Sequence, residues 1–195
     1  MPLINLKDIP VYYINMEEAV QRHIEIKNVI KEFGFKKASR IEGPKEHPPA
    51  SGLLEAVSKQ KPPFIVLEDD CRIKTKNSII EIPEFADCVY LGICDRAFIG
   101  TVQFFQYNRD LVKLHDMLST HAMLFLTEEY CAECIRVTFE CVRAPQHVDI
   151  AYSKIMKDWN VYALAEPIFY QEKCVLRTNI RFKTDCPYID DSRIP

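Results

Sequence analysis

The sequence feature that most constrains this chain is a short apolar run that ends in three consecutive carboxylates, residues 64–70 (FIVLEDD). A short apolar run bounded by turn residues is typical of a buried strand, and Pro63 precedes this one. A strand that is buried on both faces belongs to a parallel or mixed sheet covered by helices. Ligands of such sheets bind at the carboxyl ends of the strands, which is where Glu68, Asp69 and Asp70 lie.

The three carboxylates have two interpretations. Adjacent negative charges repel one another, and a divalent cation is a compact counter-charge for them. Alternatively, they form a solvated acidic turn whose charge is balanced by Arg72 and Lys74. The local sequence favours neither interpretation, so the rest of the chain has to distinguish them.

Length and composition predict one folded domain. A chain of 195 residues that is 48% hydrophobic can bury a core of its own. No apolar run approaches the roughly 18 residues of a membrane span, and the N-terminus lacks the pattern of a signal peptide, so we expect a cytoplasmic protein. The net charge of -3 argues against nucleic acid as a partner. Eight cysteines without an export signal predict free thiols.

Strand and helix signals alternate through the first 70 residues. Residues 9–15 have the β-branched and aromatic content of a strand. A helix that ends at Gly34 is expected next, with apolar positions at Met16, Val20, Ile24, Val29, Ile30 and Phe33. A strand over residues 35–41, a helix over residues 51–59 and the strand that begins at residue 64 follow. Such alternation predicts an α/β fold with a largely parallel sheet.

The second half of the chain predicts four more strands and two more helices. The strands are expected over residues 87–92, 101–107, 120–126 and 159–165, and the helices after Thr127 and over residues 147–157. Cys131 and Cys134 fall within a helical pattern, which indicates buried cysteines rather than a zinc site. We predict a single domain over residues 1–172. A mostly irregular tail over residues 173–195 would lead to any further domain.

Several fragments, taken in order, resemble the lipooligosaccharide and procollagen galactosyltransferase family. They are residues 11–15 (VYYIN), 40–43 (RIEG), 65–70 (IVLEDD), 89–92 (VYLG), 120–122 (THA), 147–149 (HVD), 160–163 (NVYA), Pro167 and Gln171. The family has the GT-A glycosyltransferase fold, so the resemblance implies a mixed, mainly parallel sheet flanked by helices. The family's Gly-Cys-x-x-Ser-His segment is missing, and residues 49–54 (PASGLL) stand in its place. This compact form suits a minimal or virus-encoded member.

The resemblance implies metal-dependent transfer of a sugar from a nucleotide-diphosphate sugar, most simply a UDP-sugar, to a glycan, glycoprotein or other hydroxyl acceptor. Mn²⁺ or Mg²⁺ would stabilise the departing diphosphate as a Lewis acid. Asp70 is the expected direct ligand. Glu68 is the second residue expected at the metal site: it should lie on the same side of the strand, because side chains alternate with a period of two, and reach the ribose or a metal-bound water. Asp69 would then point the other way, unless the chain turns there. His147 is a candidate further ligand.

The nucleotide is expected over the carboxyl ends of the first strands. The residues expected to contact it are Tyr13, Ile14, Asn15, Arg22, Arg40, Glu68 and Asp69. An inverting transfer also needs a general base, for which Asp149 is the first candidate and Asp95 the second. Asp149 has an alternative role as a helix cap.

Two other functions stay open. A sugar nucleotidyltransferase also holds Mg²⁺ on carboxylates in an α/β sheet, but that class usually has a Gly-rich phosphate loop after its first strand, and residues 15–18 (NMEE) are not such a loop. A non-catalytic module would bind a nucleotide or glycan without turning over a donor.

Overall fold

A computed structural model of the chain describes residues 1–43, 48–94, 97–98, 100–143 and 147–172. The predicted tail over residues 173–195 and the candidate base Asp95 lie outside these ranges. The helices are α1 (Val20–Phe33), α2 (Pro48–Lys59), α3 (Glu128–Arg143) and α4 (Val148–Met156), and a short 3-10 helix spans Leu6–Asp8. The strands are β1 (Leu3–Asn5), β2 (Val11–Met16), β3 (Ala38–Gly43), β4 (Phe64–Glu68), β5 (Cys71–Ile73), β6 (Ile79–Glu81), β7 (Cys88–Tyr90), β8 (Gln103–Gln106), β9 (Leu111–Asp116), β10 (Ala122–Phe125), β11 (Val161–Leu164) and β12 (Phe169–Gln171).

One mixed sheet organises the fold, with the strand order β3-β2-β4-β10-β7-β11-β9-β8. The neighbouring pairs β3/β2, β2/β4 and β7/β11 are parallel, and the other pairs are antiparallel. Strands β10 and β9 therefore run against the remaining strands of this sheet. Two small antiparallel pairs, β1/β6 and β12/β5, lie outside it. The predicted α/β class, with a mixed sheet in a single domain, is confirmed for the described residues. The expected mainly parallel pairing is wrong, because four of the seven neighbouring pairs in this sheet are antiparallel.

Helices cover both faces of the sheet, and β4 shows how the faces separate. Phe64 and Val66 belong to the core that includes α2, α3 and α4, whereas Ile65 and Leu67 belong to the core that includes α1. All four side chains are buried, as predicted for a strand covered on both faces. Full burial of such a side chain contributes about 1.5–3 kcal/mol. Packing on both faces therefore fixes the position of the strand's carboxyl end.

Helix α1 begins later than the sequence predicted. Met16 is the last residue of β2, and the first helical residue is Val20. Val20 and Ile24 are 63% and 51% exposed, so the first three positions of the predicted apolar stripe were wrong. Repeated steps of four residues drift around a helix that has 3.6 residues per turn. The buried positions are Ile26, Val29, Ile30 and Phe33, which follow the i, i+3, i+4, i+7 pattern.

Other boundaries also differ from the prediction. Strand β3 begins and ends a few residues later than expected, and β9 was not predicted at all. The short strands β1, β5, β6 and β12 have three residues each, which is too few to show a period of two. The C-terminal stop of α1 is confirmed, because Gly34 has a φ of 88° and its N–H donates to the carbonyl of Ile30 at 3.1 Å.

The cysteines that the structure describes are free and buried, as expected for thiols. They are Cys71, Cys88, Cys94, Cys131, Cys134 and Cys141. Burial raises the pKa of Cys131 to about 12 and the pKa of Cys134 well above its ordinary value, and both side chains lie on α3. Across the described ranges, the structure contains no helix long and apolar enough to cross a lipid bilayer.

Candidate functional site at the carboxyl end of the central strands

The register of three strands brings the candidate site together. Strand β2 runs parallel to β4 with Ile14 opposite Glu68, so Asn15 comes next to Asp69. Strand β10 runs antiparallel to β4 on its other side, and the N–H of Glu68 donates to the carbonyl of His121 at 2.9 Å. The carboxyl ends of β2 and β4 therefore meet the residues just before β10. This is the edge of the sheet at which the sequence predicts a ligand.

Glu68 and Asp70 point to a common side, as the sequence predicts. The amide Nε2 of Gln171 lies 3.5 Å from Glu68 Oε2 and 3.2 Å from Asp70 Oδ2. The other oxygen of Glu68, Oε1, accepts a 2.6 Å hydrogen bond from Thr120 Oγ1. Asp70 Oδ1 is buried and has no hydrogen-bond partner among the residues that the structure describes.

Asp69 points the other way, towards α1. Its Oδ1 accepts a 3.1 Å hydrogen bond from Arg22 Nη1, and its Oδ2 accepts a 2.8 Å hydrogen bond from Asn15 Nδ2. The Arg22 side chain is 39% exposed and that of Asp69 is 11% exposed, so this ion pair lies at the border of the site. Asp69 therefore holds two residues that were predicted to contact a nucleotide. The predicted contact between Asp69 and the nucleotide stays a prediction.

Burial of the acidic groups has an electrostatic consequence. The pKa of Glu68 is raised from its ordinary value of 4.5 to about 7: desolvation is the largest cause, the hydrogen bond from Thr120 opposes it, and the charges of Asp70, Asp69 and Asp149 add to it. Desolvation also raises the pKa of Asp70, although the Gln171 hydrogen bond and the Arg22 charge lower it. A positive charge placed between these carboxylates would favour their ionised forms.

Arg72 ties the segments around the site to one another. Its Nη1 donates to the carbonyls of Asp69 and Cys71 at 3.2 Å and 2.8 Å. Its Nη2 donates to Glu172 Oε2 at 2.6 Å and also to Glu25 of α1. The Arg72 side chain is only 14% exposed. In one of the two interpretations of the sequence, Arg72 balances an acidic turn in solvent, whereas the structure shows that it joins α1, β5 and the end of β12.

Asp149 and His147 lie at the start of α4. His147 is the N-cap residue, is exposed and makes no side-chain cap hydrogen bond, while Asp149 lies in the first turn. Asp149 Oδ1 accepts a 2.8 Å hydrogen bond from the N–H of Ile150, and its charge acts on Glu68. Asp149 is therefore near the carboxylates without being the N-cap. The base role of Asp149 and the ligand role of His147 stay predictions.

The remaining predicted residues surround the end of β2. The side chains of Tyr13 and Ile14 are buried in the two cores. A ligand would therefore contact the backbone of these two residues. Tyr13 Oη lies 3.1 Å from His23 Nε2. Arg40 is exposed on β3, and its Nη2 donates to the carbonyl of Asn15 at 3.4 Å. These residues lie beside the carboxylates, but their predicted contacts with a nucleotide are untested.

Sequence reasoning assigned no site role to Thr120 and Gln171. Both belong to the fragments on which the expected resemblance to the galactosyltransferase family rests, and that was the available signal. Threonine and glutamine are otherwise common surface residues, so neither indicates a site by its residue type. Their role depends on contacts across 52 residues for Thr120 with Glu68 and 101 residues for Gln171 with Asp70.

The donor set bears on a possible metal ion. Over the described ranges, no three histidine, cysteine, aspartate or glutamate side chains come together as a group that could hold one. Mg²⁺ is commonly bound by one or two protein carboxylates, with waters and substrate phosphates as the other ligands. Asp70 Oδ1, which has no hydrogen-bond partner in the described part of the chain, fits that mode of binding. In comparisons with known proteins, no family model matches the sequence and no curated protein matches it either.

Proposed function

We propose that this protein is a metal-dependent glycosyltransferase that moves a sugar from a nucleotide-diphosphate sugar, most simply a UDP-sugar, to a glycan, glycoprotein or other hydroxyl acceptor. The observation that carries the proposal is Asp70 Oδ1, a buried carboxylate oxygen to which the described residues donate no hydrogen bond. A buried charged group without a partner costs free energy. A bound cation would remove this cost at the edge of the sheet where nucleotides commonly bind.

Asp70 would hold Mn²⁺ or Mg²⁺ through Oδ1, and Glu68 would place a second negative charge beside it. Such an ion, when bound, stabilises the negative charge that develops on a departing diphosphate. His147 at the start of α4 is proposed as a further ligand. The burial of Asp70 and Glu68 supports this assignment, because two neighbouring buried carboxylates need a counter-charge when they are ionised.

Asn15, Arg22 and Arg40 are proposed to bind the nucleotide. Arg22 uses Nη1 for Asp69, and a guanidinium has further N–H groups that can donate to a phosphate. Asn15 Oδ1 is buried and has no hydrogen-bond donor in the described part of the chain. It can therefore accept a hydrogen bond from a base or a ribose hydroxyl. The exposed Arg40 adds positive charge next to it.

Asp149 is proposed as the general base of an inverting transfer. Its carboxylate takes the proton of the acceptor hydroxyl while that oxygen bonds to the anomeric carbon of the sugar. The bond from the anomeric carbon to the diphosphate breaks, and its electron pair leaves with the nucleoside diphosphate. The position of Asp149 in the first turn of α4, where its charge acts on Glu68, supports this role.

The fold and the cellular location belong to the same proposal. We propose that the mixed sheet is a GT-A fold, which is supported by helices on both faces and by an acidic site at the carboxyl end of a central strand. We also propose that the protein acts in the cytoplasm. The free state of the described cysteines supports a reducing compartment.

The proposal is tested by release of UDP from a panel of UDP-sugars, measured with Mn²⁺ and with a chelator. The variants are Asp70→Asn and, as a matched control, Asp110→Asn, which changes an exposed aspartate between β8 and β9 at the far end of the sheet. We expect turnover that requires Mn²⁺, falls at least about 100-fold in Asp70→Asn and is unchanged in Asp110→Asn.

Three other outcomes would contradict the proposed function. Turnover that survives both chelation and the Asp70→Asn substitution would remove the metal from the mechanism. Calorimetric binding of UDP without turnover of any donor would favour a non-catalytic binding module. Formation of a nucleotide sugar from UTP and a sugar phosphate would instead show a nucleotidyltransferase.

A further inference from the structure

The two acidic residues that face a common side share one amide. Gln171 Nε2 lies 3.2 Å from Asp70 Oδ2 and 3.5 Å from Glu68 Oε2. Carboxylate oxygens are acceptors when ionised, so the nitrogen of the amide, and not its oxygen, has to face them. Within the described ranges, the Asp70 carboxylate accepts a side-chain hydrogen bond from Gln171 alone, whereas Glu68 also accepts one from Thr120.

The backbone around Gln171 is fixed on both sides. Strand β12 pairs with β5 so that Gln171 lies opposite Cys71. The next residue, Glu172, donates its backbone N–H to the carbonyl of Asp70 at 3.0 Å and receives a 2.6 Å hydrogen bond from Arg72 at its side chain. The amide of Gln171 is thus presented to Asp70 by a segment that is itself bonded to Asp70 and Arg72.

One of the six carboxylate oxygens of Glu68, Asp69 and Asp70 accepts no hydrogen bond from the residues that the structure describes. Both oxygens of Glu68 accept hydrogen bonds, from Thr120 and Gln171. Both oxygens of Asp69 accept hydrogen bonds, from Arg22 and Asn15. Asp70 Oδ2 accepts one from Gln171, and among described residues Oδ1 accepts none.

We propose that Gln171 is a positioning residue of the metal site: it holds Asp70 Oδ2 so that Oδ1 alone is presented to the ion as a monodentate ligand. This inference rests on the proposed function, because it assumes that Asp70 binds a divalent cation. Hydrogen bonds to the non-ligating atoms of a metal ligand fix its orientation, and loss of such a bond commonly costs about 10–100-fold in metal affinity. Gln171 acts through Asp70 and does not itself bind the metal.

The test measures Mn²⁺ binding by electron paramagnetic resonance of the free ion, with the full chain at a temperature well below its melting temperature. The central variant is Gln171→Leu, which keeps most of the side-chain volume and removes the amide. The matched control is Gln21→Leu, because Gln21 Nε2 also donates to a carboxylate, Glu25 Oε1 at 2.8 Å, but on the exposed surface of α1. Thr120→Val removes a donor to Glu68 that does not contact Asp70.

We expect the Kd for Mn²⁺ to rise about 10–100-fold in Gln171→Leu and to stay at the wild-type value in Gln21→Leu. Thr120→Val should have a smaller effect than Gln171→Leu. The spectrum of bound Mn²⁺ should also change in Gln171→Leu, because the ligand oxygen is no longer held in one orientation. A purely structural role of Gln171 would lower the melting temperature without changing the spectrum.

The outcomes separate this inference from the proposed function. If the wild type binds Mn²⁺ and Gln171→Leu binds it equally well with the same spectrum, Gln171 is not a positioning residue, while the proposed metal site stands. If the wild type does not bind Mn²⁺, both are overturned. If Gln171→Leu does not fold, Gln171→Asn replaces it. Its side chain is one methylene shorter, and because β5 holds the backbone at residue 171, its amide falls beyond hydrogen-bond distance of Asp70 Oδ2. An unchanged Kd for Gln171→Asn would therefore overturn the inference.

Discussion

Asn15 Nδ2 donates a buried 2.8 Å hydrogen bond to Asp69 Oδ2, and this bond joins the carboxyl ends of β2 and β4. The same nitrogen lies 3.2 Å from the carbonyl of Ala19, which precedes α1. Both partners are acceptors, so the orientation of the Asn15 amide is determined. One side chain thus fixes the end of β2, the end of β4 and the start of α1 relative to one another.

Replacing Asn15 with Ala should lower the free energy of unfolding by about 1–3 kcal/mol, because it leaves a buried carboxylate oxygen of Asp69 without its donor. The measurement is urea unfolding followed by circular dichroism. Asn28→Ala is the control, since Asn28 is exposed on α1 and should change the value by less than about 0.5 kcal/mol. A loss in Asn15→Ala no greater than that of the control would show that the bond does not stabilise the fold.

Glu68 should make the stability of the metal-free protein depend on pH. Its pKa in the folded protein is raised by burial to about 7, above the ordinary value of 4.5. Between these values the folded state binds more protons than the unfolded state, so the free energy of unfolding falls as pH rises. The contribution of Glu68 is fully present below pH 4.5 and is lost as pH rises through about 7.

The substitution Glu68→Gln should remove this part of the pH dependence, because an amide does not ionise. The free energy of unfolding is obtained from urea midpoints measured in the presence of a chelator. Between pH 5 and 7 it should fall by about 1–3 kcal/mol more in the wild type than in Glu68→Gln. Glu55→Gln, which changes a carboxylate whose side chain is 41% exposed and paired with Lys59, should keep the wild-type slope. Equal slopes for the wild type and Glu68→Gln would contradict the assigned pKa.

The sequence allowed the position of the candidate site to be predicted, because that position depends on local signals. An apolar run that ends in carboxylates identifies a buried strand and its carboxyl end, and the structure places Glu68 and Asp70 there on a common side. The alternation that separates Phe64 and Val66 from Ile65 and Leu67 also follows from a period of two. These features need only neighbouring residues along the chain.

The contacts that decide which carboxylate oxygen stays available could not be predicted. They depend on Thr120 and Gln171, which are 52 and 101 residues away from Glu68 and Asp70 in the sequence. No local period marks a residue for such a contact. The start of α1 was mispredicted for a related reason: Met16 pairs with Gly43 of β3 and therefore continues β2, although it lies at helical spacing from Val20 and Ile24.

Arg72 should contribute more to stability than an exposed arginine with a similar number of ion pairs. Arg72 binds Glu25, Glu172 and two backbone carbonyls and is 14% exposed at its side chain, whereas Arg136 binds Glu133 and Glu140 on α3 and is 54% exposed. Loss of Arg72 would leave two backbone carbonyls without a donor and two carboxylates that are 32% and 50% exposed, so the cost should exceed that of an exposed pair but stay below the cost of about 3–5 kcal/mol for a fully buried pair. Exposed pairs contribute about 0–1 kcal/mol.

We therefore expect Arg72→Met to lower the free energy of unfolding by at least about 2 kcal/mol and Arg136→Met by at most about 1 kcal/mol. Hydrogen exchange should also speed up selectively in β5 and β12, which Arg72 links to α1. Similar losses in the two variants would show that burial of the Arg72 ion pairs has no energetic consequence.

Gly92 should tolerate no side chain, because the buried ring of His121 occupies the space beside it. A Cβ atom on Gly92 would lie 2.0 Å from His121 Nε2 and 2.6 Å from His121 Cδ2. The ring is 2% exposed and is held by a 2.7 Å hydrogen bond between its Nδ1 and Ser119 Oγ, so it cannot move aside freely. Gly92→Ala should therefore cost about 1–3 kcal/mol of folding free energy.

A double-mutant cycle isolates this contact from other effects of the substitution. Since His121→Ala removes the ring that the new methyl group would meet, adding Gly92→Ala to it should cost at least about 0.5 kcal/mol less than in the wild type. Gly43→Ala serves as the control, because its Cβ would meet Met16 Cγ at 3.4 Å, an ordinary contact. Denaturant unfolding of the four proteins gives the coupling energy, and a value near zero would show that His121 is not what excludes a side chain at residue 92.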